Sequence, residues 1–219
     1  DTLQLGAGIT TSDVSIARSN SDLIVRINGT EDSVTVQNYF LADGTQAYAV
    51  ENIKFADGTV WDIATIKTKV LTPTEGNDTL HGYGTNDTLN AGAGNDTVYG
   101  NGGADTLDGG AGTDNLQGGD GNDTLKGGTE NDKLYGGNGN DTLLGNEHND
   151  TLRGDAGSDT LDGGAGNDNL SGGTGADTYL FGKGSGKDII ANHDGEALGT
   201  NPDTLQLGAG ITTSDVSIA

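Results

Sequence analysis

The sequence has no cysteine and no methionine, only two prolines, and few aromatic residues (5 %). Without cysteine there are no disulfide staples and no thiolate zinc site. Cationic side chains are scarce as well: 10 Lys and Arg stand against 33 Asp and Glu, for a formal net charge of −23. So acidic a chain repels nucleic acid and anionic membrane surfaces and attracts metal cations. No apolar run approaches the length of a membrane span. Apolar residues make up 31 %, too few for an ordinary core along the whole chain. What the chain has in excess is glycine, 40 of 219 residues.

The glycines belong to a repeat marked by its aspartates. Asp78, Asp87, Asp96, Asp105, Asp114, Asp123, Asp132, Asp141, Asp150, Asp159, Asp168 and Asp177 follow one another at nine-residue steps without a slip. Two residues after each stands one large apolar side chain, from Leu80 and Leu89 through Leu170 to Tyr179. Gly118-Gly119-Asp120-Gly121-Asn122-Asp123-Thr124-Leu125 shows the unit, a nonapeptide of the form G-G-x-G-x-D-x-U-x. The predicted fold is all-β: a right-handed parallel β-roll over 75–190, preceded by a small β-strand capping domain over 1–70. Residues 191–219 then form a connector and the first strands of a further, truncated cap-like copy.

In such a roll two nonapeptides make one coil, with the apolar residue inward and the glycine-rich turns along two edges. Each aspartate then stacks on the one eighteen residues away. One edge carries Asp78, Asp96, Asp114, Asp132, Asp150 and Asp168; the other carries Asp87, Asp105, Asp123, Asp141, Asp159 and Asp177. Two carboxylates about 5 Å apart repel by roughly 3 kcal/mol at an effective dielectric near 20. Stacked aspartates therefore demand cations, and calcium fits them. It accepts six to eight hard oxygen ligands in flexible geometry, which carboxylates and turn carbonyls supply. Magnesium prefers tighter octahedra, and transition metals favour histidine or cysteine. The five gaps on each edge hold up to about ten ions in all. One buried leucine per nine residues is too little to order the chain unaided. Residues 75–182 are therefore expected to fold only when calcium binds.

The first 70 residues read differently. Leu3 and Leu5, Val14 and Ile16, and Leu23, Val25 and Ile27 alternate with polar residues as strands do. Asn28-Gly29, Asp43-Gly44 and Asp57-Gly58 are turn signals around Val34, Val36, Tyr39-Phe40, Tyr48, Val50, Ile53 and Phe55. Asp62 is placed to cap a short helix reaching Val70, with Ile63, Ile66 and Val70 on one side. Leu71–Thr74 is a linker; Pro73 and Pro202 punctuate the chain. Residues 203–219 repeat residues 1–17 without a change. The expectation is a piece of a larger protein built from tandem modules.

Three loops depart from the pattern. Their fourth position, normally glycine, is Thr85, Glu130 and His148. Glu130 and His148 fall on one edge in adjacent loops, so altered sites are expected around Asp132 and Asp150. Asp188 lies eleven residues after Asp177 and reads as an irregular last turn. His81, His148 and His193 share no nucleophile or carboxylate constellation, and no catalytic centre is expected.

Residues 75–190, with Gly-Gly-Asp-Gly-Asn-Asp-Thr-Leu at 118–125 and Gly-Gly-Asn-Gly-Asn-Asp-Thr-Leu at 136–143, resemble the RTX (repeats-in-toxin) calcium-binding β-roll. Residues 1–62, with Asp-Thr-Leu-Gln-Leu-Gly-Ala-Gly-Ile-Thr at the start and Phe-Ala-Asp-Gly-Thr-Val-Trp at 55–61, resemble the haemolysin-type calcium-binding-related domain. The resemblance implies type I secretion, an unfolded state in the low-calcium cytosol and folding outside the cell. It implies that the twelve aspartates ligate calcium together with turn carbonyls, and that the cap-like domain follows the roll it caps.

The expected function is that of a calcium-binding structural module of a large secreted or cell-surface protein of toxin or adhesin type. Its partners are calcium ions and neighbouring tandem modules. One alternative is the C-terminal export and folding module of a secreted enzyme. Another is a carbohydrate- or ice-binding roll, for which regular Thr or Asn ladders are the cue. The third repeat position shows no such ladder.

Overall fold

A computed structural model describes residues 1–44, 49–191 and 200–216. Tyr48, His193 and most of the polar connector lie outside the described residues. The chain divides into two compact units, Asp1–Thr72 and Pro73–Ala219.

The first unit holds two three-stranded sheets. Val14–Ser19, Asp22–Ile27 and Ser33–Val36 form an antiparallel meander. Its second turn contains Gly29, whose φ of 78° only glycine adopts freely. In the other sheet Thr2–Gln4 pairs in parallel with Asn52–Lys54, which pairs antiparallel with Val60–Asp62 across Asp57-Gly58. The helix Ile63–Lys69 follows. The Asp62 side chain accepts a 2.8 Å hydrogen bond from the Thr65 amide, meeting an N–H the first turn leaves unpartnered. Leu23, Val25, Tyr39, Phe40, Ile53, Phe55, Trp61 and Ile66 are all buried. Tyr39 with Phe40, and Phe55 with Trp61, meet edge to face at 4.8 Å between ring centres. This is a conventional apolar core.

The second unit is a parallel β-roll. One seven-stranded sheet runs through Thr79–His81, Thr97–Gly102, Asn115–Asp120, Lys133–Asn138, Thr151–Ala156, Asn169–Thr174 and Ile189–Ile190. The other runs through Thr88–Ala93, Thr106–Ala111, Thr124–Thr129, Thr142–Asn146, Thr160–Asp162, Thr178–Phe181 and Thr204–Leu207. Register steps by eighteen residues, as in Leu107↔Leu125 and Leu116↔Leu134, until the last strands. There Leu170 pairs with Ile190 and Tyr179 with Leu205, so the roll absorbs longer connections without losing register. The inward leucines Leu107, Leu116, Leu125, Leu134, Leu143 and Leu161 are fully buried.

The turns explain the glycines. At the fourth repeat position Gly121 and Gly139 have φ of 133° and 131°. A Cβ on Gly139 would collide with the carbonyl oxygen of Gly121 one coil back. At these two glycines the coils stack so closely that only hydrogen fits.

Candidate metal centres

The repeat aspartates form two continuous stacks. After Asp78 and Asp87, which begin the stacks, each carboxylate uses Oδ1 to accept the backbone N–H of the aspartate one coil earlier. The Asp78 amide donates to Asp96 at 2.7 Å, Asp96 to Asp114 at 2.8 Å, and so on through Asp132, Asp150 and Asp168. On the second edge Asp87, Asp105, Asp123, Asp141 and Asp159 donate in turn, ending on Asp177 at 2.9 Å. Both stacks run one step beyond the twelve. The Asp168 amide donates to Asp188 at 3.1 Å, and the Asp177 amide donates to Asp203 at 2.8 Å. Asp203 escaped sequence reading because it stands outside the nine-residue frame. Its signal was the triplet Asp203-Thr204-Leu205, the same as in the repeats.

The second oxygen decides the chemistry. Oδ2 of Asp96, Asp105, Asp114, Asp123, Asp132, Asp141, Asp150, Asp159, Asp168 and Asp203 is buried and has no protein hydrogen-bond partner. A buried acceptor left unmatched costs free energy unless something else meets it. Apart from Asp96, whose loop begins with Ala91, and Asp203, each such oxygen lies against the first glycine of its own loop. A Cβ on Gly100 would strike both Asp105 Oδ2 and the Gly118 carbonyl oxygen. One on Gly118 would strike Asp123 Oδ2 and the Gly136 carbonyl oxygen. A carboxylate oxygen and a carbonyl oxygen from the next coil thus share a space kept clear of side chains.

Electrostatics agree. Burial pushes the carboxyls of Asp105 and Asp114 up to about 6, and those of Asp132, Asp150 and Asp159 up to about 7. Backbone N–H donors pull the other way, and neighbouring aspartates add to the rise. Asp96, Asp123, Asp141 and Asp168 are raised for the same first cause, burial.

The loops are unequal. In the first coil of the roll the Oδ2 atoms of Asp78 and Asp87 accept from the amides of Thr74 and Tyr83, both at 2.6 Å. Buried Ala91 puts a methyl group at the first position of the loop leading to Asp96, where most loops have glycine. Glu130 and His148 take φ of 70° and 79°, a region side chains resist. In the regular edge the Gly103 amide donates to the Asp120 carbonyl and that of Gly121 to the Asn138 carbonyl. In the interrupted edge the Gly112 amide donates instead to Glu130 Oε2 (3.0 Å), and the Glu130 amide to His148 Nδ1 (3.2 Å). Side chains have replaced backbone acceptors there. His81 stacks flat on Tyr99 at 4.6 Å between ring centres.

Two ladders emerge only in three dimensions. Asn77, Asn86, Asn95, Asn122, Asn131, Asn140 and Asn149 each accept, through Oδ1, the backbone N–H eighteen residues later. Thr88, Thr106, Thr124, Thr142, Thr160, Thr178 and Thr204 stand in register across one whole sheet. Reading at a step of nine hides this column, because the other sheet interposes Asn115, Lys133 and Asn169.

Known proteins bear on the same residues. The RTX calcium-binding nonapeptide repeat matches in four copies, at 73–107, 81–116, 108–143 and 144–179. Residues 73–179 are thus an array of RTX calcium-binding nonapeptide repeats. The haemolysin-type calcium binding protein related domain matches residues 22–65. A curated relative, the iron-regulated protein FrpA of Neisseria meningitidis serogroup C, is 45 % identical over 83 residues. The match covers 38 % of this chain and 7 % of that protein.

RTX repeats bind calcium, and the stacked aspartates suit several ions. No three His, Cys, Asp or Glu side chains converge among the described residues. A site built here therefore takes few carboxylates and many carbonyls. That donor set is all oxygen, which suits a hard cation of flexible coordination.

Proposed function

We propose that this chain is a non-catalytic, calcium-binding structural module of a large secreted RTX protein of toxin or adhesin type. Calcium outside the cell folds and stiffens it. The ligands are the repeat aspartates through Oδ2 and the turn carbonyls beside them, with Asp188 and Asp203 closing the two stacks. Residues 1–70 serve as a cap-like domain. The observation that carries this reading is the row of buried, partnerless Oδ2 atoms, which from Asp105 to Asp168 each face a glycine kept bare. Asp78 and Asp87, whose Oδ2 atoms already have donors, are the weakest ligands of the twelve. Bound calcium supplies the positive charge and the oxygen-ligand demand that these groups lack. Circular dichroism in chelator and in millimolar calcium tests it. The roll's β signal appears with calcium; equal β content in both solutions would overturn the reading.

A second reading has one observation in its favour. The seven-threonine ladder is the regular hydroxyl column expected of a carbohydrate- or ice-binding face. Its neighbouring outward column, Asn90, Asp108, Lys126, Leu144, Asp162, Leu180 and Gln206, is chemically mixed. Flat results in glycan-array and ice-recrystallisation assays would remove it.

A further inference from the structure

One stretch of sequence occurs twice, in two structural settings. Residues 1–17 and 203–219 are identical. Where described, they fold alike: Thr10 and Thr212 cap matching turns at Thr11–Asp13 and Thr213–Asp215, and Gly8 and Gly210 have φ of 85° and 82°. Their strand partners differ. In the first unit Thr2–Gln4 lies beside Asn52–Lys54. In the second, Thr204–Leu207 lies beside Thr178–Phe181 at the end of the roll.

The two settings use opposite edges of the same strand. Against the roll, the amides of Thr204 and Gly208 donate to Asp177 and Phe181, both at 2.8 Å. These residues match Thr2 and Gly6. Against Asn52–Lys54 the donor is the Leu5 amide, at 2.9 Å to the Lys54 carbonyl, and Leu5 matches Leu207. Successive residues of a strand point their backbone groups to alternate sides, so the two sets of hydrogen bonds do not compete.

The side chains agree. In the roll the inward apolar column runs Leu161, Tyr179, Leu205. In the first unit the matching column runs Leu3, Ile53, Trp61. Joined through the shared leucine, they make one continuous apolar column. At the end of this roll the column lies open: Leu205 is 55 % exposed, and Val216 is 44 % exposed where its counterpart Val14 is 6 %. Phe181, Leu205, Leu207, Ile211 and Val216 line an apolar cleft there.

We infer that Asp203–Leu207 is a two-sided joint, whose open edge and apolar cleft receive residues 18–72 of a second copy joined directly after Ala219. The strand then becomes central, with the calcium roll on one edge and the equivalent of Asn52–Lys54 on the other. By the same geometry the free edge of Thr2–Gln4 fits the last strand of a preceding roll. Tandem modules would be welded by a continuous sheet and not merely strung on linkers. The joint rests on the calcium-loaded roll proposed above, but it has its own signature.

The test is amide hydrogen exchange, in calcium, on this chain and on a chain with residues 18–72 appended after Ala219. In this chain the amides of Thr204 and Gly208 are protected and those of Leu205 and Leu207 exchange fast. In the extended chain Leu205 and Leu207 slow by on the order of 100-fold while Thr204 and Gly208 keep their protection. Unchanged exchange at Leu205 and Leu207 would overturn the joint. So would their protection at the expense of Thr204 and Gly208, since the strand would then serve one side at a time. Leu207→Pro in the extended chain removes a donor on the outer edge and a leucine from the cleft, and leaves the inner-edge donors Thr204 and Gly208 in place. It should release the appended segment and leave Thr204 and Gly208 protected; an appended segment still protected would also overturn the joint. Loss of protection throughout residues 79–181 would instead indict the calcium-folded roll.

Discussion

The N-terminal unit buries aromatic side chains in two pairs, Tyr39 with Phe40 and Phe55 with Trp61, whereas the roll encloses little but leucines and flanks them with buried aspartates. The two regions also treat their carboxylates in opposite ways. In the first, the carboxyls of Asp13 and Asp62 are held low by hydrogen bonds from Thr10 and Thr65 at exposed turns. In the second, burial holds them high. Apolar burial stabilises one region whatever the solvent contains. The other buries carboxylate oxygens that no protein donor meets, and under the function proposed above its stability depends on the ion.

Calcium removal should separate the two most sharply. Trp61 is the chain's only tryptophan and sits in the first unit. A chelator should abolish most parallel β signal in the far-ultraviolet while leaving Trp61 emission near its calcium-loaded wavelength. Coincident loss of both would mean that the units share one source of stability.

The next contrast lies within the roll. Asp141→Asn keeps the shape and the Oδ1 acceptor but removes a charge from the regular edge. It should raise the calcium midpoint by at least on the order of tenfold, since loss of even an outer-shell partner of a metal ligand costs about that much. Asp78→Asn, where Oδ2 already accepts from Thr74, should move the midpoint much less. Calcium titration followed by circular dichroism reads both, and equal shifts would erase the distinction between interior and end coils.

Acidification should drive the two regions apart. Without calcium, Asp105 and Asp114 have folded pKa values raised from 3.8 to about 6, and Asp132, Asp150 and Asp159 to about 7. Their protonation favours the folded form, fully below about pH 4 and progressively less as pH rises through 6 to 7. Chelated protein should therefore hold more roll structure at pH 5 than at pH 7.5. The lowered carboxyls of Asp13 and Asp62 predict the reverse for the first unit, which loses their support as pH falls below 4. Trp61 emission and far-ultraviolet dichroism across pH distinguish the two slopes.

The smallest effect concerns the interrupted edge. Glu130→Gly and His148→Gly relieve left-handed backbone, worth about 1 kcal/mol each, and return the amides of Gly112 and position 130 to carbonyl partners. Both should lower the calcium midpoint slightly. A rise would show that Glu130 contributes an oxygen to the metal.

Much of the roll was legible before its coordinates. A nine-residue period with one inward leucine forces two edges and an eighteen-residue step, which the pairing of Leu107 with Leu125 displays. The helix after Asp62 was equally plain, because capping is a local affair. Asp203 and the threonine ladder were not plain. Their partners lie one coil away across connections of variable length, so counting along the chain does not find them.

Composition and period, by themselves, determined that this chain is acidic, coiled and in need of hard cations, because every repeat restates the same local chemistry. Only the tertiary structure decided which carboxylate oxygen is left without a protein donor, and that one short sequence pairs with different strands in its two settings. Hydrogen bonds across coils assign each polar atom its donor, and the sequence does not say which atom goes without.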